Sequence, residues 1–314
     1  MDVIPGYAGT ANRPPLALAL GNFDGVHRGH AALLQQVLKA AKVVSIQSAV
    51  GVFAPHPRRF FQPDAAPFRL MSDDRRADLL AGMGFDRLHV LPFDNDMANR
   101  SPEDFVNQVL CDGLNAQHIF VGRDFKFGKG RAGDFSDLDR LAQDAGLTAI
   151  AADLVQAEDD KISSSQIRAA ITEGKMATAA DLLGRSWTLD GPVEMGDQRG
   201  RTIGFPTANV AMTDFVRPAH GVYAVTVQRA GDTQVLDGVA NVGVRPTVDG
   251  LNERLEVYLF DFDDNIYGET LAVSFHDRLR GEVKFDGLDA LKAQIAQDCD
   301  TAKSVLAARK SGPA

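Results

Sequence analysis

Cysteine is scarce in this chain, and long apolar runs are absent. The 314 residues include two cysteines, Cys111 and Cys299, which are far apart and too few for a disulfide framework. We therefore expect reduced thiols that fill space and take no part in catalysis. No apolar run approaches the roughly 18 residues of a membrane helix, and the segment before Arg13 lacks the basic start of a signal peptide. These absences predict a cytoplasmic protein without a membrane segment.

Basic residues are also fewer than acidic residues in this chain. Lysine and arginine total 33 against 42 aspartates and glutamates, so the net charge is −9. Both halves of the chain are acidic, and neither predicts a nucleic-acid-binding module. An anionic small ligand would need a local cluster of positive groups. The oligomeric state is left open by the sequence, with a homo-oligomer among the alternatives.

The first half of the chain alternates strand-like runs with helical patterns. Ser72, Ser101 and Ser136 are candidate N-caps of three of these helices. Alternation of this kind predicts an α/β domain with a doubly wound parallel sheet over residues 1–184. Ligands of such sheets bind beyond the carboxyl ends of the strands. The predicted strands are Leu16–Leu20, Val43–Phe53, Arg87–Leu91, His118–Val121 and Leu147–Leu154.

After Gly184 the pattern changes to short strands punctuated by Gly-Asp and Asp-Gly pairs. Little helix is expected before Gly287–Ala308. The pattern predicts a small antiparallel β-barrel or β-sandwich with one closing C-terminal helix over residues 185–314. The predicted strands are Trp187–Glu194, Gly221–Gln228, Gln234–Asn241, Arg254–Phe260 and Thr270–Phe275.

The segment Gly21–His30 carries the strongest functional signal. It reads Gly-Asn-Phe-Asp-Gly-Val-His-Arg-Gly-His, follows a predicted strand and leads into a predicted helix. Backbone N–H groups and the helix dipole favour a phosphate at such a turn. His27 and His30 are three residues apart at the helix start, so they can lie on one face. Two imidazoles over a phosphate site predict transfer chemistry on a nucleotide.

Three other features of the first half allow more than one interpretation. His56 stands between two prolines and either lines the same cleft or shapes a turn. Ser163 and Ser164 either cap a helix or, with Arg168 one turn further on, hold an anion. The G-x-G-x-x-G pattern at Gly128–Gly133 lacks a preceding strand end, so we interpret it as a flexible basic loop that could close over polyphosphate. The basic residues around it are Arg123, Lys126, Lys129 and Arg131.

In the second half, unusual residues concentrate at Gly200–Asn209. Thr207 and Asn209 are two apart, so on an extended chain their side chains point the same way. Their oxygens suit Mg²⁺ carrying nucleotide phosphates, but the segment also fits a plain edge strand with proline at its start. Glu256 lies among apolar neighbours and is either solvent-facing or an inward general base for an alcohol.

Two common ligand motifs are missing from the sequence. No G-x-x-x-x-G-K-[ST] segment occurs, so any ATP chemistry is not of the P-loop kind. Asp261, Asp263 and Asn265 begin like a calcium-binding EF-hand loop, but the required glycine and glutamate are replaced by Ile266 and Ala272. We predict a solvated hairpin turn there.

Taken together and in this order, several segments resemble the bacterial bifunctional riboflavin kinase/FMN adenylyltransferases, often called FAD synthetases. The resemblance implies an N-terminal nucleotidyltransferase domain and a C-terminal riboflavin kinase barrel. It implies that the barrel converts riboflavin and ATP to FMN, and that the first domain converts FMN and ATP to FAD and pyrophosphate, both with Mg²⁺. The segments are Gly21–His30, Phe53–Pro57, Val121–Gly128, Ile162–Arg168, Gly200–Asn209, Asn241–Thr247 and Leu279–Phe285.

The resemblance also implies residue roles. His27 and His30 would hold the ATP phosphates and stabilise the leaving pyrophosphate. Arg168 and the serines before it would assist them. Glu256 would be the base on the terminal ribityl hydroxyl. The implied nucleotide contacts are Gly21, Phe23, Gly25, His27, His30, Asp124, Ser163, Ser164 and Arg168 in the adenylyltransferase. In the kinase they are Gly200, Arg201, Gly204, Thr207 and Asn209, with Thr207 and Asn209 at the metal.

Two other functions fit the same residues. One is an enzyme with a single active domain, the kinase, beside a domain that serves as a scaffold. The other is a flavin-binding carrier or sensor that uses the same pockets without turnover. The carrier differs from the enzyme in consuming no ATP.

Overall fold

The computed structural model describes residues 1–7, 14–152, 156–157, 160–195, 203–247 and 250–311. It divides into two compact units. The first unit contains Met1–Ala65 and Asp73–Ser163, and the second contains Ala66–Ser72 and Ser164–Ala314. Within the described ranges, no helix combines the length and the apolar character needed to cross a bilayer.

The first unit is built on six strands with helices between them. The strands are β1 (Asp2–Pro5), β2 (Leu16–Leu20), β3 (Gln47–Ala54), β4 (Arg87–Pro92), β5 (Ala116–Gly122) and β6 (Thr148–Ala152). The helices are α1 (Arg28–Val44), α2 (Pro57–Phe61), α3 (Asp73–Met83), α4 (Asn95–Asn99), α5 (Pro102–Asp104) and α6 (Phe135–Asp144). Helix α5 continues as a π-helical stretch, Phe105–Cys111, and a two-stranded ribbon joins β7 (Gln156–Ala157) to β8 (Asp160–Lys161).

All neighbouring strands of the six-stranded sheet are parallel, in the order β1-β4-β3-β2-β5-β6. The predicted parallel α/β sheet is therefore confirmed. From β2 the chain moves outward to β3 and β4 on one side, and then returns to place β5 on the other side. The order thus reverses between β2 and β5, and such a switch point opens a crevice beyond the carboxyl ends of the strands.

Helix starts in the first unit follow side-chain capping. Ser101 accepts a hydrogen bond from the Asp104 backbone N–H at 3.0 Å, which confirms the predicted start of α5. The predicted start of α6 at Ser136 is wrong, because Asp134 caps this helix. The Asp134 carboxylate accepts from the N–H groups of Asp137 and Ser136, and Asp137 accepts from Asp134 in return. These hydrogen bonds lower the pKa of Asp134, since they favour its ionised form.

In the part of the chain that the structure describes, the second unit is a closed antiparallel barrel with three helices. Its strands are β9 (Trp187–Glu194), β10 (Ala208–Val210), β11 (Gly221–Arg229), β12 (Val235–Thr247), β13 (Gly250–Leu259) and β14 (Thr270–Arg280). They close in the order β10-β13-β12-β11-β14-β9. The helices are α7 (Ser164–Thr172), α8 (Met176–Leu183) and α9 (Leu288–Ser311). The predicted barrel with a C-terminal helix is confirmed.

Helix α9 packs on the outside of the barrel. Cys299, Ala302 and Leu306 of α9 are buried against Val222 and other outward-facing side chains of the strands. Burial raises the pKa of the Cys299 thiol to about 11. Burial, together with the nearby Asp112 charge, also raises the pKa of Cys111. Both cysteines are free, and their protonated thiols fit the predicted space-filling role.

Residues 66–72 lie in the first half of the sequence but pack with the second unit. The backbone carbonyl of Leu70 accepts a hydrogen bond from the Trp187 indole N–H at 2.9 Å. Ser72 donates to the Asp190 carboxylate at 2.7 Å. Residues 66–72 therefore belong to the barrel unit, although the chain on both sides of them belongs to the parallel sheet.

Helices α7 and α8 also pack with the barrel. Ile167, Ile171, Met176 and Leu183 are buried in one cluster with the barrel's inward-facing side chains. As a packing unit the second half therefore begins before Gly184. The functional division between 184 and 185 stays a prediction.

Two loops have a structure that differs from the one predicted from the sequence. The hairpin predicted at Asp261, Asp263 and Asn265 is wrong, because β13 and β14 are not neighbours in the barrel. The segment instead connects two separated strands. The glycine pattern near Gly133 lies on a turn that two 3.0 Å backbone hydrogen bonds between Phe127 and Gly133 close.

We expect a fragment of residues 164–314 to be more stable than a fragment of residues 185–314. The shorter fragment lacks Ile167, Ile171, Met176 and Leu183, and burial of each such side chain contributes about 1.5–3 kcal/mol. Urea unfolding followed by fluorescence of Trp187, the single tryptophan, would measure the difference. Both fragments lack the segment 66–72, so the comparison isolates the two helices. Equal unfolding midpoints would contradict this prediction.

Candidate functional site

The segment Gly21–His30 lies at the carboxyl end of β2, beside the switch point of the sheet. Asp124 follows the end of β5, in a tight turn where the Phe125 N–H donates to the Gly122 carbonyl at 2.9 Å. Because β2 and β5 are parallel neighbours, their carboxyl ends meet at one edge. The structure therefore brings Asp124 and the Gly21–His30 turn to the same edge of the sheet.

The backbone of this turn is in an unusual conformation. Phe23, Gly25 and Val26 have φ values of 47°, 92° and 38°. Glycine adopts positive φ freely, whereas phenylalanine and β-branched valine are strained there. Phe23 and Val26 are also buried, so packing around the turn holds this shape. Strain of this kind concentrates where a ligand must be bound in a fixed geometry.

His27 is the N-cap of α1. Its Nδ1 accepts a hydrogen bond from the His30 backbone N–H at 3.2 Å. An accepting Nδ1 places the proton of the neutral ring on Nε2, which is then a donor. Gly29 allows this arrangement, because a Cβ at Gly29 would lie 3.1 Å from Nδ1 of His27.

The rings of His27 and His30 are stacked, with centroids 3.5 Å apart and planes at 17°. The prediction that they lie on one face of the helix start is confirmed. The first turn of α1 contains no acidic residue, so no carboxylate there competes for the N–H groups. Together the two rings and the helix dipole form a site suited to an anion.

Ser163 lies at the end of the first unit, whereas Ser164 and Arg168 belong to the second. The Arg168 Nε donates to the Phe68 carbonyl at 2.7 Å, and its guanidinium lies over the Phe68 ring at 5.6 Å. Arg168 is thus held in place by the segment 66–72 of its own unit. Its action with the histidines stays a prediction.

His56 shapes a turn, as one of its two interpretations predicts. It caps α2, and its Nδ1 accepts from the Arg58 backbone N–H at 3.0 Å. Whether the ring also lines a cleft stays a prediction.

A cluster of phenylalanines, missed by the sequence analysis, lies at the ends of β3, β4 and β5. Phe53 contacts Phe93 at a centroid distance of 5.6 Å, Phe93 contacts Phe61 at 5.7 Å, and Phe105 contacts Phe127 at 5.6 Å. Phe53 and Phe105, at 6.4 Å, join these pairs into one group. Phe61 is 64% exposed, which is unusual for so large an apolar side chain. The only sequence signal was the position of these rings at strand ends.

In the second unit, a cavity of about 470 Å³ lies between the outer wall of the barrel and α9. Thr207, Asn209 and Glu256 all line it. Asn209 on β10 and Asn241 on β12 are the direct partners of Glu256 on β13, so these three side chains share a face. The predicted gathering of Thr207, Asn209 and Glu256 is confirmed as geometry.

The side chain of Glu256 has a direction that neither interpretation predicted, and its role as a general base stays a prediction. Its neighbours Leu255 and Val257 are buried inside the barrel, so Glu256 points outward. It does not face open solvent, because α9 and the segment after β14 cover this part of the barrel. The edge-strand interpretation of Asn209 is also wrong, since β10 pairs with both β9 and β13 and closes the barrel.

The cavity is aromatic on one side and charged on another. Phe205, Tyr258 and Phe285 supply apolar walls. Arg280 pairs with the buried Asp298 through hydrogen bonds of 2.9, 3.1 and 2.7 Å, and its guanidinium lies over the Phe285 ring at 5.7 Å. This pair ties the end of β14 to α9 and thereby orients the segment that carries Phe285.

Asn209 offers an oxygen ready for a ligand. Its Oδ1 is buried and has no hydrogen-bond partner within the part of the chain that the structure describes. A second cavity, of about 500 Å³, lies on the other side of Thr207 and includes Phe262 and Tyr267. Gly204 is exposed with φ of 89°, and Gly200 and Arg201 lie outside the described residues.

The two units hold groups for two different transfer reactions. The first presents imidazoles and a helix N-terminus, which stabilise charge on a polyphosphate without supplying a nucleophile. The second places a carboxylate beside amide and hydroxyl oxygens in a partly aromatic cavity, which suits phosphoryl transfer to an alcohol.

Comparisons with known proteins match the two units separately. A family model described as FAD synthetase matches residues 10–166, and one described as riboflavin kinase matches residues 183–306.

Curated relatives match along nearly the whole chain. A bifunctional riboflavin kinase/FMN adenylyltransferase of Pseudomonas fluorescens is 42% identical, over 92% of each chain. The protein of the same name from Escherichia coli strain K12 is 38% identical, over 99% of each chain. A solved structure titled as a macrolide-efflux protein from Streptococcus pneumoniae is similar with a TM-score of 0.84 and 32% identity, over 96% of this chain and 98% of the other. From these matches it follows that the chain belongs to the family of bifunctional riboflavin kinase/FMN adenylyltransferases.

Proposed function

We propose that the chain makes FMN and then FAD at two separate sites, with the residues described above in defined roles. The observation that carries this proposal is that the two units hold different chemical groups. One unit has a phosphate-binding turn with stacked histidines, and the other has a carboxylate in a substrate-sized cavity. The first arrangement suits an anionic nucleophile, and the second suits an alcohol.

In the first unit, we assign the ATP phosphates to the turn Gly21–His30. His27, through its Nε2 proton, and His30 hold the phosphates and stabilise the charge that develops on the leaving pyrophosphate. The attacking phosphate of FMN is already an anion, so this step needs no general base. The remaining nucleotide contacts in this proposal are Gly21, Phe23, Gly25, Asp124, Ser163, Ser164 and Arg168.

The phenylalanine cluster is the proposed platform for the flavin ring of FMN. Its members lie at the ends of β3, β4 and β5, the edge at which the turn after β2 also lies. A flat aromatic ligand gains both apolar burial and offset stacking against such rings. The exposed Phe61 would be covered by the flavin, which accounts for its exposure in the free chain.

In the second unit, Glu256 takes the proton of the terminal ribityl hydroxyl as that oxygen attacks the γ-phosphate of ATP; the bond to the β–γ bridging oxygen breaks and ADP leaves. The aromatic side of the cavity, with Phe205, Tyr258 and Phe285, receives the riboflavin ring. ATP approaches from the cavity beyond Thr207. Gly200 and Arg201, which lie outside the described residues, are proposed to complete the nucleotide site together with Gly204.

Magnesium fits the oxygens at the end of this cavity. Asn209 Oδ1 is a buried acceptor that a cation would satisfy, and the Thr207 hydroxyl lies two residues before it. Mg²⁺ commonly takes one or two protein oxygens and completes its shell with phosphates and water. When bound, the ion would neutralise charge on the ATP phosphates.

We further propose that the protein is cytoplasmic and does not act on nucleic acid. The acidic balance, −9 overall, disfavours a nucleic-acid substrate. Two free thiols with raised pKa values are in keeping with a reducing cytoplasm.

A chromatographic time course tests the proposal as a whole. With riboflavin, ATP and Mg²⁺ supplied, FMN should form first and FAD should follow it. FMN without FAD would leave an active kinase beside an inactive first unit. Bound flavin without ATP consumption would support a carrier and overturn the proposal.

Substitution of His27 separates its capping role from its proposed role at the phosphates. His27→Asn keeps a side-chain acceptor for the cap, whereas His27→Ala loses it and should cost about 1 kcal/mol of stability. Both variants lose the Nε2 proton, and we expect FAD formation from added FMN to fall about 100-fold in both. Kinase activity, measured on the same preparations, serves as the folding control. Retention of FAD formation in His27→Asn would reduce His27 to a structural cap.

Glu256→Gln tests the base of the kinase. The amide keeps the shape of the side chain but cannot take the proton, so FMN formation should fall by about 10²–10⁴-fold. FAD formation from added FMN should stay unchanged, because the first unit does not use this residue. A kinase rate within a few-fold of the wild-type rate would exclude Glu256 as the base.

A further inference from the structure

We propose that Arg76 is a positioning residue for adenylyl transfer, which fixes the phosphate-binding turn through the carbonyl of Asn22. Arg76 lies on α3, outside every segment in which the site was predicted. The inference rests on the proposed function, because it takes the Gly21–His30 turn as the site of the ATP phosphates.

The turn requires support from outside itself. Phe23 and Val26 are held at positive φ, and a strained conformation persists only where its surroundings enforce it. Two backbone hydrogen bonds contribute: the Gly21 N–H donates to Gly51, and the Val26 N–H donates to Phe23, both at 3.1 Å. These bonds hold the turn at Gly21 and at Val26, and Asn22 lies between these two positions.

Arg76 supplies the missing support at Asn22. Its Nη1 donates to the Asn22 carbonyl at 3.3 Å, and its Nη2 donates to Asp73 Oδ1 at 2.6 Å. The side chain is 7% exposed, so the guanidinium is held beneath the turn and out of solvent. A planar fork with two separate donors can bind a carbonyl and a carboxylate at the same time.

Space filling alone does not explain an arginine here. A buried guanidinium is costly unless its charge is matched, and an apolar side chain would fill similar volume without that cost. Of the six polar or charged side chains buried in the described part of the chain, Asp24 and His27 lie in the turn itself and Arg76 binds it. The buried polarity of this unit is thus concentrated at the turn.

Arg76 brings a buried positive charge beside the turn, which also holds the buried side chain of Asp24. Asp73, the carboxylate that pairs with Arg76, is 60% exposed and lies in the first turn of α3. Solvent and the dipole of α3 therefore share its negative charge. We expect Arg76 to add to the dipole of α1 in favouring the polyphosphate, and to have little influence on the flavin.

The test is steady-state kinetics of FAD formation from added FMN, with ATP and FMN varied in turn. For Arg76→Met we expect the KM for ATP to rise about tenfold, the effect of losing one charge-assisted hydrogen bond. The KM for FMN should stay within about twofold, since loss of phosphate binding alone leaves the other substrate unaffected. The kinase step of the same chain should not change.

Two further variants keep the test decisive. Arg76→Lys retains the charge but not the fork, so its KM for ATP should lie between those of the wild type and Arg76→Met. If Arg76→Met fails to fold, the lysine variant decides the question alone: a KM for ATP above that of the wild type supports the role of Arg76, and an unchanged KM overturns it. Arg140→Met removes an exposed arginine from α6, where it pairs with Asp137 and Asp144, and controls for the change in net charge.

The opposing outcomes are distinct. An unchanged KM for ATP in both Arg76 variants, or equal rises for ATP and FMN, would overturn the role of Arg76. His30→Ala, assayed alongside, tests the site itself. If His30→Ala spares FAD formation, then the proposed phosphate site is wrong. If it abolishes FAD formation while Arg76→Met behaves as wild type, then only the inference about Arg76 fails.

Discussion

One hydrogen bond organises the first site: the bond from the His30 backbone N–H to Nδ1 of His27. It starts α1 with the side chain of His27, which we propose also binds the ATP phosphates. It also fixes the tautomer and stacks the two rings. Glycine at position 29 suits this arrangement, because a Cβ there would lie only 3.1 Å from Nδ1 of His27. The strained turn before the cap follows from the same requirement, since the chain must leave β2 and present His27 at the helix end within seven residues.

The second site depends on a different constraint, the two faces of a small closed barrel. Apolar side chains such as Leu255 and Val257 fill the interior, so no space remains there for a substrate. The proposed kinase site lies on the outer face, where Asn209, Glu256 and Asn241 are in register. An outer face would normally be open to solvent. Helix α9 and the segment after β14 turn this face into a cavity.

The two units are separate in packing but interleaved in sequence. Residues 66–72 leave the parallel sheet, pair with the barrel unit, and return as α3. That segment holds Arg168 through the Phe68 carbonyl, and it leads directly into the helix that carries Arg76. A division of the chain by sequence position alone therefore separates residues that pack together.

Local patterns in the sequence determined the element types, the parallel sheet, the barrel and the residues from Gly21 to His30, because hydrophobic periodicity, caps and turn residues act over short distances. They also paired Thr207 with Asn209. Features that depend on contacts between residues far apart in the sequence were decided only by the tertiary structure. The outward direction of Glu256 follows from barrel closure, and the phenylalanine cluster follows from strand ends brought to one edge. The support of Asn22 by Arg76 joins residues 54 positions apart, a separation at which no local pattern carries information.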